Sequence, residues 1–138
     1  MKALVTAHPE LARVGGDLAG YVETGWVHLF AGKDVFARES MGIELKRLKS
    51  ALAGPSPTAI ELLLVDRVAA CWVQANYADA VEATQGDRTL RQAELAMKRQ
   101  THAHKRLLLA LKTLAEVRRL MAPTVQVNIA EQQVNVAG

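Results

Sequence analysis

Between Asp87 and Pro123 the chain runs for 35 residues without a glycine or a proline. Within that run Ala93, Ala96, Gln100, Ala103, Leu107, Ala110, Leu114, Val117 and Met121 recur at alternating spacings of three and four. Only an α-helix brings such positions onto one face. The pattern predicts a single helix from about Arg88 to Met121, roughly 50 Å long at ~1.5 Å per residue, stopped by Pro123. The repeat is that of a coiled-coil or antiparallel-bundle seam, and its alanines call for close approach of a partner helix. Leu90, Met97, His104 and Leu111 lie beside the seam and are expected to widen it, which favours a bundle over a lone two-stranded coil.

The remainder of the chain reads as helices that could supply the partners. Pro9 suits a helix start, and Leu11, Val14, Leu18 and Val22 follow at helical spacing despite Gly15, Gly16 and Gly20. A break is expected near Gly32. Asp34 then fits as an N-cap, with Met41, Leu45, Leu48 and Leu52 on one face and Gly54 as terminator. Pro55-Ser56-Pro57 is a clear interruption, either a turn or a hinge. Thr58 and Glu61 form a possible capping box for a helix reaching about Thr84. The stripe of that helix is Ile60, Leu64, Val68, Cys71 and Ala75, widened by Leu63 and Trp72, so it should be central. Gln85-Gly86-Asp87 ends it and caps the next. The fold class expected is mainly α: three or four helices, the last the longest. Residues 1–122 form the helical domain and residues 123–138 a tail.

Half of the residues are hydrophobic and only 4% are aromatic, so Ala, Leu and Val must build the core, a palette suited to close helix packing. Cys71 is the single cysteine, which rules out a disulfide within the chain and fits a reducing compartment. The apolar N-terminal stretch is too short for a signal-peptide core, and no stretch approaches the roughly 20 apolar residues of a membrane span. A cytoplasmic protein without a membrane partner is expected. The net charge of +3 conceals an asymmetry: residues 1–86 hold 8 Lys/Arg against 10 Asp/Glu, whereas residues 87–122 hold 9 against 3. An anionic partner is therefore to be sought on the last helix.

Arg91, Lys98, Lys105, Lys112 and Arg119 are each seven residues apart, on the side of the helix opposite the seam, and Arg99 and Arg106 flank them. Outermost heptad positions are ordinarily charged and solvated, but such faces usually mix Glu with Lys at i,i+4. This row carries no acid. A positive edge of this kind can lie along a phosphate backbone and release its counterions, with little sequence specificity.

After Pro123 the chain alternates polar and β-branched residues, with Val125, Val127 and Ile129 in one piece and Val134 and Val136 in the next. That is the signature of half-buried strands. A bare two-strand unit is marginal in water, so the expectation is pairing of tails between copies, as a sheet or barrel.

Several motifs are set aside. Ala31-Gly32-Lys33-Asp34 has Val27 where a phosphate loop needs its first glycine, and Asp34 where it needs Ser or Thr. His102 and His104 are two apart and point to different faces, unlike a metal-binding pair. His104 reads as partly buried beside the seam, His28 as packing near Trp26 and Phe30, and Cys71 as a small buried hydrophobe. Asp66, Asp79 and Glu82 read as helix surface. No catalytic constellation, metal site or cofactor is expected.

The run KRLLLALKTLAEVRRLMAPTVQVNIAEQQVNVA (105–137) resembles the C-terminal signature of a group of small, uncharacterised bacterial helical proteins, and LLLVDRVAACWVQANYADA (62–80) resembles an upstream segment of the same group. The resemblance covers under half of the chain and implies that helix and tail form one unit. The seam helix followed by Val125–Val136 also resembles, in layout, the small terminase subunits of phages. Those are rings with helical oligomerisation segments, often a C-terminal β-barrel, and peripheral DNA-binding surfaces. Residues 1–54 lack a convincing helix-turn-helix, where this chain departs from that pattern. The function expected is a non-enzymatic homo-oligomer that contacts DNA or RNA through the basic edge. The alternative is a structural self-assembly protein, a ring, shell or filament component without a nucleic-acid role. A third reading is a small regulator that binds a protein partner through the tail.

Overall fold

A computed structural model describes residues 1–122 of the chain as six α-helices. The expected strand pairing through Val125, Val127, Ile129, Val134 and Val136 lies outside the described residues.

Helices α1 (Lys2–Ala7) and α2 (Pro9–Gly15) are short, pack chiefly on each other and contain no buried residue. Pro9 opens α2 as expected. The expected continuous stripe from Leu11 to Val22 is broken, however, because α2 ends at Gly15 and α3 (Leu18–Ala31) starts afresh. Asp17 accepts a hydrogen bond from the Gly20 backbone N–H at 2.8 Å and caps α3. A Cβ on Gly20 would meet that carboxylate at 2.4 Å, so the glycine that weakens a long helix here permits the cap of a shorter one. Leu11, Val14, Leu18 and Val22 are all exposed.

Asp34 caps α4 (Val35–Ala53), accepting from the Ala37 N–H at 3.0 Å. Gly54 ends the helix at φ 73°, a left-handed conformation that favours glycine. Met41, Leu45, Leu48 and Leu52 turn inward together, with Leu45 fully buried. Pro55-Ser56-Pro57 lies within a short connection to α5 (Ala59–Thr84), and the Thr58–Glu61 capping box is present in both directions. The cap of α6 (Leu90–Met121) is not the Gln85-Gly86-Asp87 turn but Thr89, paired with Gln92 in a second capping box. Thr89 has its glutamine three residues on, and that spacing allows both bonds.

Helix α5 is the central element, apolar nearly all round. One side packs Val65, Val68 and Cys71 against Ala110 and Leu114 of α6, flanked by Leu52, Ala53, Leu64 and Leu107. The other packs Ala69 and Val73 against Val27 of α3 and Leu45 of α4, flanked by Trp26, Phe30, Met41 and Trp72. Fully burying a Val- or Leu-sized side chain contributes about 1.5–3 kcal/mol, so these two clusters hold the bundle together. Two expected core residues stay outside: Ile60 and Leu63 are 57% and 71% exposed, whereas Glu61 and Leu64 beside them meet α6 and the core.

Polar ties fasten the four long helices. Lys49 of α4 reaches Glu23 of α3 at 2.9 Å and Asp66 of α5 at 2.7 Å. Burial alone would lower the Lys49 pKa, but those two carboxylates outweigh it and hold the ammonium charged. Arg118 of α6 donates to Glu61 at 2.8 Å and to the Leu52 and Ala53 carbonyls that close α4. Asp79 of α5 accepts from Gln100 at 2.7 Å and meets the His104 ring at 2.9 Å, both on α6. Arg88 meets Glu82 at 2.7 Å. The acids read as plain helix surface, Asp66, Asp79 and Glu82, are thus each paired with a neighbouring element or turn.

Candidate nucleic-acid interface

The helix that carries the positive edge owes its position to its seam. In α6, Ala93, Ala96, Gln100, Ala103, Leu107, Ala110, Leu114 and Val117 are all buried or half-buried, and apart from them only Thr113 and Arg118 are not exposed. The heptad reading therefore locates the α5 contact residue by residue, save for Met121, which is 47% exposed. The expected widening fails. Leu90, Met97 and Leu111 are exposed, and His104 is exposed with its ring on Asp79. With α5 as its principal neighbour, α6 is covered along one narrow stripe, as in a two-helix hairpin.

The other side is therefore bare. Arg91, Lys98, Arg99, Lys105, Arg106, Lys112 and Arg119 are all exposed. Successive members of the seven-residue row are about 10 Å apart along the axis. A straight α-helix drifts by ~20° per heptad against such a row, so Arg91 to Arg119 stay within a sector of roughly 80°. Arg99 and Arg106 stand on one flank. Among the described residues none of these seven cations makes an ion pair, whereas Arg47, Lys49, Arg88 and Arg118 all do. Paired cations hold helices or turns in place. Lys2, Arg13, Lys33, Arg38, Lys46 and Arg67 are without an ion pair too, but they are scattered over four other helices and a turn, whereas the seven share one side of α6.

Exposed apolar side chains border this edge: Leu108 and Leu109 lie between Lys105 and Lys112 and are each 65% exposed, and Leu120 follows Arg119. They fall outside the seam pattern, and leucines at off-seam positions are the signal of them that the sequence carries.

The rest of the molecule offers little chemistry. Cys71 is buried as expected, and burial pushes its thiol pKa up against the opposing charges of Arg67 and Arg106, which keeps it an unreactive thiol. His28 is not packed but exposed, on the wall of a polar cleft between α3 and α4 with Asp17, Glu23, Arg38 and Glu39. A separate apolar cleft of about 190 Å³ lies among α3, α4 and α5. Among the described residues no group of His, Cys, Asp and Glu is arranged to hold a metal ion, and no helix is long and apolar enough to cross a membrane. No known protein family, curated protein or solved structure matches the chain.

Proposed function

We propose that this chain is a non-enzymatic, homo-oligomeric protein that contacts nucleic acid through the outer edge of α6, in outline like a small terminase subunit. Arg91, Lys98, Lys105, Lys112 and Arg119 are the phosphate contacts, and Arg99 and Arg106 assist. The observation that carries the reading is the alignment of the cations: seven that make no ion pair among the described residues are exposed along one side of one continuous helix. An exposed row of like charge is costly to hold together through self-repulsion and is relieved by a polyanion. Five neutralised phosphates on duplex DNA correspond to a slope of about −4.5 in log K against log salt. The test is a salt titration of DNA binding with the wild type and with a triple variant, Lys98→Glu, Lys105→Glu and Lys112→Glu. The wild type is expected to show the steep slope and the variant to lose binding. Equal binding by the two would overturn the proposal.

A second reading, a structural assembly protein whose α6 meets an acidic protein surface, is favoured by the exposed Leu90, Met97, Leu108, Leu109 and Leu120 on that helix. A phosphate backbone offers nothing apolar for them to cover. The absorbance ratio at 260 and 280 nm of freshly purified protein separates the two, since a nucleic-acid binder carries nucleic acid through purification and a purely structural protein does not.

A further inference from the structure

Three exposed apolar side chains border a groove between α3 and α5. Leu18, Ala19 and Val22 form one wall and Leu63, Arg67 and Ala70 the other, around a space of about 210 Å³. Leu18 is 75% exposed, Leu63 71% and Val22 45%. Helices α1 and α2, which lead into α3, pack chiefly on each other and leave these side chains open. Of the two charged side chains at the groove, Asp66 is taken by Lys49 at 2.7 Å. Arg67 is exposed and makes no ion pair among the described residues.

The chain leaves the described bundle at the same end. Arg118, in the last turn of α6, reaches Glu61 in the first turn of α5 at 2.8 Å, so the exit at Met121 lies beside the start of α5. Leu63 is two residues past Glu61 and roughly on the opposite side of the helix, at ~100° per residue. Rounding a helix about 10–12 Å across takes roughly six extended residues at ~3.3 Å each, and residues 123–128 supply them. Ile129 and Glu131 come next. Two residues apart, they fall on one side of an extended segment with a separation of about 6.6 Å. Leu63 and Arg67, four residues apart on α5, are separated by about 6 Å along its axis. Glu131 is the one charged residue among 123–138, and its sign is opposite to that of Arg67.

We propose that the groove between α3 and α5 is a docking site for the tail of the same chain, with Ile129 set between Leu18 and Leu63 and Glu131 against Arg67. A tether this short holds the tail at an effective concentration in the millimolar range, so the contact needs far less area than one between separate molecules. The groove gives the apolar side chains of the tail a destination other than the pairing of tails between copies. The inference depends on neither the nucleic-acid nor the oligomer reading above.

Cleavage after Glu131 by a glutamyl endopeptidase tests it, followed on the full chain by the mass of the fragment 1–131. A docked Glu131 is out of the protease's reach, so the wild type is expected to be cut slowly, at a rate per molecule that does not change on dilution. Leu18→Asn with Leu63→Asn is expected to speed that cleavage about tenfold or more. The circular dichroism should stay unchanged, because both side chains are exposed. Arg67→Gln removes a surface ion pair and is expected to speed cleavage by less than about fivefold. Rapid cleavage of the wild type, equal to that of the double variant, overturns the proposal, since the tail is then free. Slow cleavage of both overturns it as well, since something other than this groove then covers the tail, as pairing of tails would. Protection of the wild type that is lost on dilution also overturns it, and makes the tail of a second copy the occupant.

Discussion

Helices α5 and α6 are the two longest elements and lie against each other, yet they are used differently. Seven residues of α5 are buried, on more than one side, and its neighbours are α3, α4 and α6. Only three residues of the longer α6 are buried, all on one stripe. The contrast teaches where the chain commits residues to holding the fold and where it leaves them free. In α5 nearly every position from Leu64 to Ala75 is constrained by a neighbour, so its composition reports packing. In α6 the seam alone is constrained, and the remaining positions are free to carry the unpaired cations and the exposed leucines.

The largest effect expected from breaking this contrast is on the seam itself. Leu114→Ala removes a side chain that is 3% exposed and packed against α5, at an expected cost of about 2–5 kcal/mol. Leu108→Ala, six residues away on the bare side and 65% exposed, should stay within about 0.5 kcal/mol. Urea unfolding of the two variants measures both. Equal losses would mean that the outer side of α6 is covered in solution, and would argue for the assembly reading.

The seam was legible because its spacing is a property of one helix. The caps at Asp34 and Thr58 and the terminator at Gly54 were legible for the same reason, since each is decided within a few residues. What stayed hidden depends on which helices lie near which ends. Leu63 is apolar and at helical spacing, yet 71% exposed, while Leu64 next to it packs into the core, and which of the two turns inward is set by where the other helices lie. Asp66 and Asp79 looked like surface acids because their partners, Lys49, Gln100 and His104, are on other helices. The positive edge could be read as a row from heptad positions alone, but that it is bare of acids from elsewhere needed the tertiary structure. The cleft beside Trp72 draws on three helices and left no local signal.

A middle-sized effect is expected at the start of α6, where the sequence suggested Asp87 and the structure has Thr89. Thr89→Ala removes the hydroxyl that accepts from the Gln92 N–H at 3.2 Å and should cost about 1 kcal/mol. Asp87→Ala should cost a small fraction of that. Hydrogen exchange of the first turn of α6 sharpens the result, because loss of the cap should speed exchange there and leave the turns around Leu114 unchanged. Faster exchange throughout would mean that α6 is held by its end as much as by its seam.

The smallest effect expected is a dependence on acid at the other end of the same helix. Arg118 hydrogen-bonds the Glu61 carboxylate, and with the Thr58 backbone it holds that carboxylate below its ordinary pKa. A depressed carboxylate pKa stabilises the fold above the unfolded value, near pH 4.3, and that contribution is lost as the pH falls through the folded value. Glu61→Gln and Arg118→Met should therefore lower the thermal midpoint modestly at neutral pH, where the wild type has the full contribution, and converge on the wild type as the pH falls below about 4, so that the acid slope flattens. Arg118→Met should do slightly more, since it also leaves the Leu52 and Ala53 carbonyls without their donor. A variant that keeps the full acid slope would show that Glu61 and Arg118 are neighbours without being coupled. The one cation of α6 that was given a structural role would then belong with the seven left free.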